Sequence, residues 1–103
     1  MIDGKSFKNS KEGRKLKKLY RGNMSKVDPN HVDKLLDYMT VLNSSSTMDL
    51  IKVVGEDYHP WLNTKKGSQR VHSVSVDGNN RLLFQFDKAR GYFFNLEYGD
   101  FHD

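Results

Sequence analysis

One histidine near the end of the sequence lies among carboxylates, since His102 has Asp103 beside it and Asp100 two residues before it. Arg81 lies on the preceding predicted strand, so an acid/base group and a cation are expected to meet. Metal-independent cleavage of RNA needs such a pair, because RNA supplies its own nucleophile through the 2′-hydroxyl. A base takes the hydroxyl proton, an acid protonates the departing 5′-oxygen, and a cation stabilises the charge on the phosphoryl oxygens. These residues predict a site for phosphodiester chemistry.

A second candidate imidazole, His59, precedes Pro60 and Trp61. Proline restricts the residue before it to an extended backbone, and the neighbouring rings offer a pocket wall. An imidazole has an ordinary pKa of about 6.5 and works as acid or base near neutrality. The alternative for His59 is a loop residue without function. His31, in the first turn of a helix, and His72, on the apolar side of a strand, are expected to be structural.

The predicted strand order brings these groups together. Arg81 begins the middle strand of a meander, so the residues beside it on the next, antiparallel strand are the last ones of the sequence. We expect Arg81, Asp100 and His102 at one edge of the sheet, and His59 joins them if its loop enters from the same end. Arginine can contact two phosphate oxygens, Asp100 can orient an imidazole, and Phe101 or Trp61 can stack on a base.

Two amphipathic helices are predicted before the strands. The first runs from Asn9 or Ser10 to Arg21, has Leu16, Leu19 and Tyr20 at helical spacing, and ends at Gly22-Asn23. The second has Asp28 as its N-cap, with a proline at the first helical position. Its apolar stripe comprises Val32, Leu35, Leu36, Met39 and Leu42.

Alternating apolar and polar residues predict strands over Arg70 to Asp77, Arg81 to Asp87 and Tyr92 to Tyr98. Ile2 to Phe7 is expected to form a first strand, and one short turn is expected between the second helix and the meander. These elements predict a single α+β domain over residues 1–103. Two N-terminal helices pack on a small, mainly antiparallel sheet in the order β-α-α-β-β-β.

Positive charge is concentrated in residues 5–26, which contain a single acidic residue, Glu12. The basic residues of this segment are Lys5, Lys8, Lys11, Arg14, Lys15, Lys17, Lys18, Arg21 and Lys26. Such a segment favours a polyanion or an acidic protein partner, and the alternative is a solvated helix face. Cysteine is absent and no metal-ligand cluster is visible, so no cofactor is expected. Without an apolar signal segment, the chain is expected to be cytoplasmic.

Several motifs together resemble a HigB-type toxin of the RelE/ParE toxin–antitoxin superfamily. They are the basic first helix, the longer second helix, the His59-Pro60 element, the hairpin from Ser73 to Phe86, and the segment Tyr98-Gly99-Asp100-Phe101-His102. The resemblance covers nearly the whole chain. It implies a small α+β toxin that enters the ribosomal A site and cuts messenger RNA without metal, leaving a 2′,3′-cyclic phosphate. It also implies a helix-turn-helix antitoxin of the HigA type, through which alone the toxin reaches operator DNA.

The resemblance also implies roles for single residues. The family's catalytic histidine, sheet arginine, terminal acid and terminal histidine fall on His59, Arg81, Asp100 and His102. The residues implied to contact RNA or phosphate are Lys65 or Lys66, Asn79, Phe101, and Lys15, Lys18 and Arg21 of the first helix, which would contact ribosomal RNA. Phe101 occupies a position where the family usually has tyrosine, so it keeps a stacking face but lacks a hydroxyl.

Two other functions fit the same sequence. A ParE-like toxin has this architecture but acts on DNA gyrase without catalysis, and fold alone does not decide function. The two histidines argue against that reading, whereas the missing tyrosine at Phe101 leaves it open. The third reading is an RNA-binding module without chemistry.

Overall fold

The computed structural model describes residues 1–55, 57–61 and 69–101. Within them, the helices α1 (Lys11–Tyr20), α2 (Val32–Ser44) and α3 (Asp49–Val54) precede an antiparallel sheet. A 3₁₀ turn, Pro29–His31, leads into α2. The strands lie side by side in chain order, as β1 (His59–Pro60), β2 (His72–Asp77), β3 (Asn80–Asp87) and β4 (Tyr92–Asp100). The α+β class is confirmed, with the order α-α-α-β-β-β-β.

The predicted first strand, Ile2 to Phe7, does not form, so the expected order β-α-α-β-β-β is wrong at its first element. The Asp3 carboxylate accepts from the Lys5 amide at 2.8 Å, and the Asp3 carbonyl accepts from the Ser6 amide at 3.1 Å. This local turn competes with an extended backbone. Only Phe7 forms an isolated parallel bridge, to Leu96 of β4.

The helices cover the core with their apolar faces. Helix α1 starts at Ser10, whose hydroxyl accepts from the Gly13 amide at 3.0 Å, and its Leu16 and Leu19 are buried. A short third helix, α3, replaces the single turn expected after α2. It places Ile51 in the core.

The apolar stripe predicted for α2 is wrong at Leu36, which is 39% exposed. Because a helix turns by about 100° per residue, a stripe centred on Leu35 and Leu42 includes Tyr38 and leaves Leu36 at its rim. Tyr38 is buried, and its hydroxyl donates to the Ser75 carbonyl on β2 at 2.8 Å.

The sheet has one core face and one outer face. Alternation along β2 and β3 buries His72, Val74, Val76, Leu82, Phe84 and Phe86 on the core face. The outer face is formed by the alternate residues Ser73, Ser75, Arg81, Leu83, Gln85 and Glu97. The hairpin between β2 and β3 turns at Gly78, whose φ of +56° suits glycine.

An irregularity in β4 changes which residues face the core. The pairing shifts by one residue between Leu83 and Gln85 of β3, and Asn95 on β4 has a φ of +53°. Asparagine tolerates this left-handed backbone better than most residues. The extra residue turns Phe93 into the core and places the Asn95 amide 2.7 Å from the Gln85 side chain.

In the described part of the chain, no helix combines the length and the apolar character that crossing a membrane requires.

Candidate functional site

Strand β1 places His59 beside the sheet rather than in a free loop. His59 pairs with Ser73 of β2, and the next amide, that of Trp61, donates to the Val71 carbonyl at 2.8 Å. The turn before β1 contains Asp57 with a φ of +53°. Proline after His59 favours the extended backbone that this pairing needs. The imidazole is therefore held at the sheet edge by a short, hydrogen-bonded strand.

His59 and Arg81 are in direct contact. The Arg81 Nη1 atom lies 3.1 Å from Nε2 of His59. A guanidinium can only donate hydrogen bonds, so Nε2 is the acceptor and carries no proton in this arrangement. The other ring nitrogen, Nδ1, lies 3.0 Å from the Pro60 carbonyl oxygen and donates to it. The contacts therefore define a neutral imidazole whose lone pair points at the cation.

Ser73 contacts both the backbone and the ring of His59. Its hydroxyl is fully buried, donates to the His59 carbonyl at 3.1 Å and lies 3.2 Å from Nε2. Ser73 was not among the site residues predicted from the sequence. Two features of the sequence could have identified it. Strand alternation places Ser73 on the outer face, and the hairpin register that pairs Ser75 with Arg81 places Ser73 on the same face as Arg81.

Trp61 closes the arrangement on one side. Its ring stacks on the His59 ring at 6.1 Å and 21°, and the Arg81 guanidinium carbon lies 5.7 Å from the Trp61 ring. The Arg81 Nε atom is buried and has no hydrogen-bond partner in the residues that the structure describes. A buried donor without a partner is uncommon. The guanidinium is thus held against the rings of His59 and Trp61.

The residues from Gly99 to Phe101 lie beside β3 as expected, but they do not all face Arg81. Gly99 pairs with Arg81, Asp100 pairs with Asn80, and the Phe101 amide donates to the Asn79 carbonyl at 3.0 Å. Since successive residues of a strand alternate, Asp100 belongs to the face opposite to that of Arg81. Asp100 and Asn79 are exposed. His102, Lys65 and Lys66 lie outside the described residues.

The basic residues of α1 fall into two groups. Lys15 forms an ion pair with Glu12 at 2.7 Å, and its Nζ atom lies 5.9 Å from the centre of the Tyr98 ring. Lys18 and Arg21 are exposed. Together with Arg14 and Lys17 they line a shallow cleft of about 220 Å³. Among the residues that the structure describes, only these four basic side chains line the cleft, and Lys15 is not one of them.

The two histidines expected to be structural lie in the interior. His31 is buried, with Nδ1 2.6 Å from the Tyr98 hydroxyl and Nε2 3.3 Å from an Asp77 carboxylate oxygen. His72 stacks on Phe84 at 5.4 Å, and the Tyr58 hydroxyl lies 2.8 Å from its Nδ1. Burial lowers the pKa of His72 from 6.5 to about 4, and the nearby positive charges act in the same direction.

Over residues 1–55, 57–61 and 69–101, no group of three or more metal-ligating side chains could hold an ion. No protein-family model matches the chain, and a search of curated proteins finds no match either.

Proposed function

We propose that the chain is the toxin of a type II toxin–antitoxin pair, similar to HigB, and that it cuts messenger RNA on the ribosome. The observation that carries the proposal is the contact of 3.1 Å between Nη1 of Arg81 and Nε2 of His59. It joins a proton acceptor on the edge strand β1 to a permanent cation on the inner strand β3. Those are two of the three groups that transesterification at a phosphodiester needs.

In the proposed reaction, a substrate phosphate takes the place of His59 as the acceptor for the Arg81 guanidinium. A guanidinium can donate to two phosphate oxygens at once, which supports this step. Nε2 of His59 is then released to exchange a proton with the RNA. Lys65 or Lys66 is proposed as a second phosphate contact.

The bond changes follow from the nucleophile. The 2′-oxygen attacks phosphorus while its proton passes to one imidazole, and the bond from phosphorus to the 5′-oxygen breaks as the other imidazole donates a proton. The products are a 2′,3′-cyclic phosphate and a 5′-hydroxyl. His59 and His102 share the two proton transfers, and Asp100 is proposed to orient His102. Phe101 is proposed to stack on a base next to the cut.

The proposed partners follow from the same assignment. They are a ribosome with messenger RNA in its A site, and a helix-turn-helix antitoxin through which operator DNA is reached. Lys18 and Arg21 on the exposed basic cleft, together with Lys15, are proposed to contact ribosomal RNA through its phosphates. All of these partners are cytoplasmic.

The direct test replaces each imidazole by an amide. In the variants His59→Gln and His102→Gln, cutting of ribosome-bound messenger RNA should fall by about 10² to 10⁴, the usual contribution of general acid–base catalysis. Primer extension on ribosome-bound transcripts measures the cuts, and circular dichroism checks that the variants fold. The matched control is Thr40→Ala, an exposed change on α2.

Three outcomes would contradict the proposal. Full activity in both histidine variants would exclude them from the chemistry. DNA damage with intact transcripts in cells that express the chain would indicate gyrase as the target. Tight binding to RNA without cleavage products would indicate a module without catalysis.

A further inference from the structure

A small cavity opens on the outer face of the sheet, next to the candidate site. Its volume is about 150 Å³, and its walls include Lys8, Trp61, Leu83, Gln85 and Glu97. Trp61 belongs to both places, because its ring also stacks on His59 and contacts Arg81. Whatever binds Arg81 therefore lies within reach of the cavity.

Sheet register explains the position of this cavity. His59 pairs with Ser73, Ser73 with Leu83, and Leu83 with Glu97, so these residues form one row across four strands. Arg81 lies in the neighbouring row, two residues along β3 from Leu83. Two residues of a strand span about 7 Å, a distance comparable with the length of one extended nucleotide. A phosphate at Arg81 would place an adjacent base above Leu83.

The cavity has a flat apolar part and a polar part. Leu83, which is 7% exposed, forms the floor, and Trp61 forms an aromatic wall. The amides of Gln85 and Asn95, 2.7 Å apart, and the Lys8–Glu97 ion pair, at 3.0 Å, provide the polar part. Single-stranded RNA is recognised in this way, by stacking on a ring and by hydrogen bonds to base edges.

We propose that the cavity formed by Lys8, Trp61, Leu83, Gln85, Asn95 and Glu97 binds the base of a nucleotide adjacent to the scissile phosphate, and that it prefers guanine. This subsite rests on the proposed cleavage of RNA, and it specifies which base that chemistry selects.

Glu97 determines the preference. An ionised carboxylate only accepts hydrogen bonds, and the Glu97 side chain is only 10% exposed, so its desolvation must be matched by donors. Guanine presents two adjacent donors, N1–H and the N2 amino group, to two carboxylate oxygens. Uracil places its one N–H between two carbonyl oxygens that would repel the carboxylate. Lys8 supplies an ammonium donor for the acceptor O6.

The sequence contains a single tryptophan, so Trp61 reports on the cavity directly. The experiment titrates the whole chain with the 3′- and 5′-monophosphates of guanosine, adenosine, cytidine and uridine, and follows Trp61 fluorescence excited at the red edge. We expect guanosine monophosphate to bind most tightly. The better of its two phosphate isomers identifies the side of the cut on which the base lies.

Two variants and one control make the test specific. Glu97→Gln should weaken binding of guanosine monophosphate about tenfold, as loss of a charged hydrogen bond predicts. Binding of uridine monophosphate should become equal or tighter, because the repulsion between its carbonyl oxygens and the carboxylate is removed. Gln85→Ala should also weaken the binding of guanosine monophosphate. The control Asp33→Asn removes an exposed carboxylate on α2, outside the cavity, and should change nothing.

Equal affinity for the four bases, or an unchanged preference in both Glu97→Gln and Gln85→Ala, would overturn the subsite. This readout does not depend on cleavage. If the chain prefers guanine but cuts no RNA, the subsite is supported and the proposed function is refuted. If the chain cuts RNA but shows no base preference, the proposed function is supported and the subsite is refuted.

Discussion

Arg81 reaches His59 across an intervening strand, with 3.1 Å between Nη1 and Nε2 although β2 separates β1 from β3. The contact is possible because β2 presents only serines, Ser73 and Ser75, on the outer face at this point. A long side chain can lie over two small ones. The proposed catalytic pair therefore depends on small residues between its members as well as on the pair itself.

The first prediction concerns the form of the cation. Arg81→Gln should lower single-turnover cleavage by about 10² to 10³, the usual cost of removing one group that stabilises transition-state charge. Arg81→Lys restores the charge but not the planar fork, so it should recover only part of the rate. Single-turnover rates of both variants on ribosome-bound message measure this. Activity of Arg81→Gln within twofold of the parent would remove Arg81 from the mechanism.

Ser73 is predicted to position His59. In Ser73→Ala the hydrogen bond of 3.1 Å to the His59 carbonyl is lost, which should lower stability by about 1 kcal/mol. Displacement of the imidazole should lower the rate by up to about 10²-fold. A purely structural role would not shift the ¹⁵N resonance of His59 Nε2, so that shift is the second measurement. The control Ser75→Ala, on the same face of the same strand, should leave rate and resonance unchanged.

His72 makes stability depend on pH. Its pKa is lowered from 6.5 in the unfolded chain to about 4 in the fold, so the unfolded state binds more protons between these values. Stability is therefore fully present above about pH 6.5 and is lost as the pH falls toward 4, by up to about 3 kcal/mol in all. Urea unfolding at several pH values measures the slope. In His72→Leu, the slope of the unfolding free energy against pH should fall by about 1.4 kcal/mol per pH unit. An unchanged slope would show that His72 is not the source of the pH dependence.

The basic cleft on α1 is predicted to bind RNA through charge alone. When Lys18 and Arg21 are both replaced by glutamine, the slope of log K for RNA binding against log salt concentration should fall by about two. Each phosphate contact contributes roughly one unit to this slope. Lys15→Gln should have a smaller effect, since Lys15 already pairs with Glu12 at 2.7 Å. Filter binding of unrelated RNA sequences over a range of salt measures the slopes. Equal slopes in all variants would show that the cleft does not bind phosphates.

Local patterns determined most of the secondary structure. Alternation in β2 and β3 and the helical spacing of Leu16, Leu19 and Tyr20 are properties of short segments. The structure confirms the alternation and buries both leucines, whereas Tyr20 is 38% exposed. The prediction failed where a local competitor intervened. Asp3 forms a turn that replaces the expected first strand, and the pairing shift near Asn95 depends on a backbone conformation that alternation does not encode.

The sequence by itself determined the residue types from which a site could be built and, through the meander order, that Arg81 would lie beside the strand that ends in Asp100. Only the tertiary structure decided that His59 joins the sheet as β1, that Ser73 and Trp61 hold it, and that Asp100 belongs to the other face. The reason is physical. Register within a hairpin follows from a short turn, whereas contacts between β1, β3 and the cavity wall depend on side-chain packing between segments far apart in the chain.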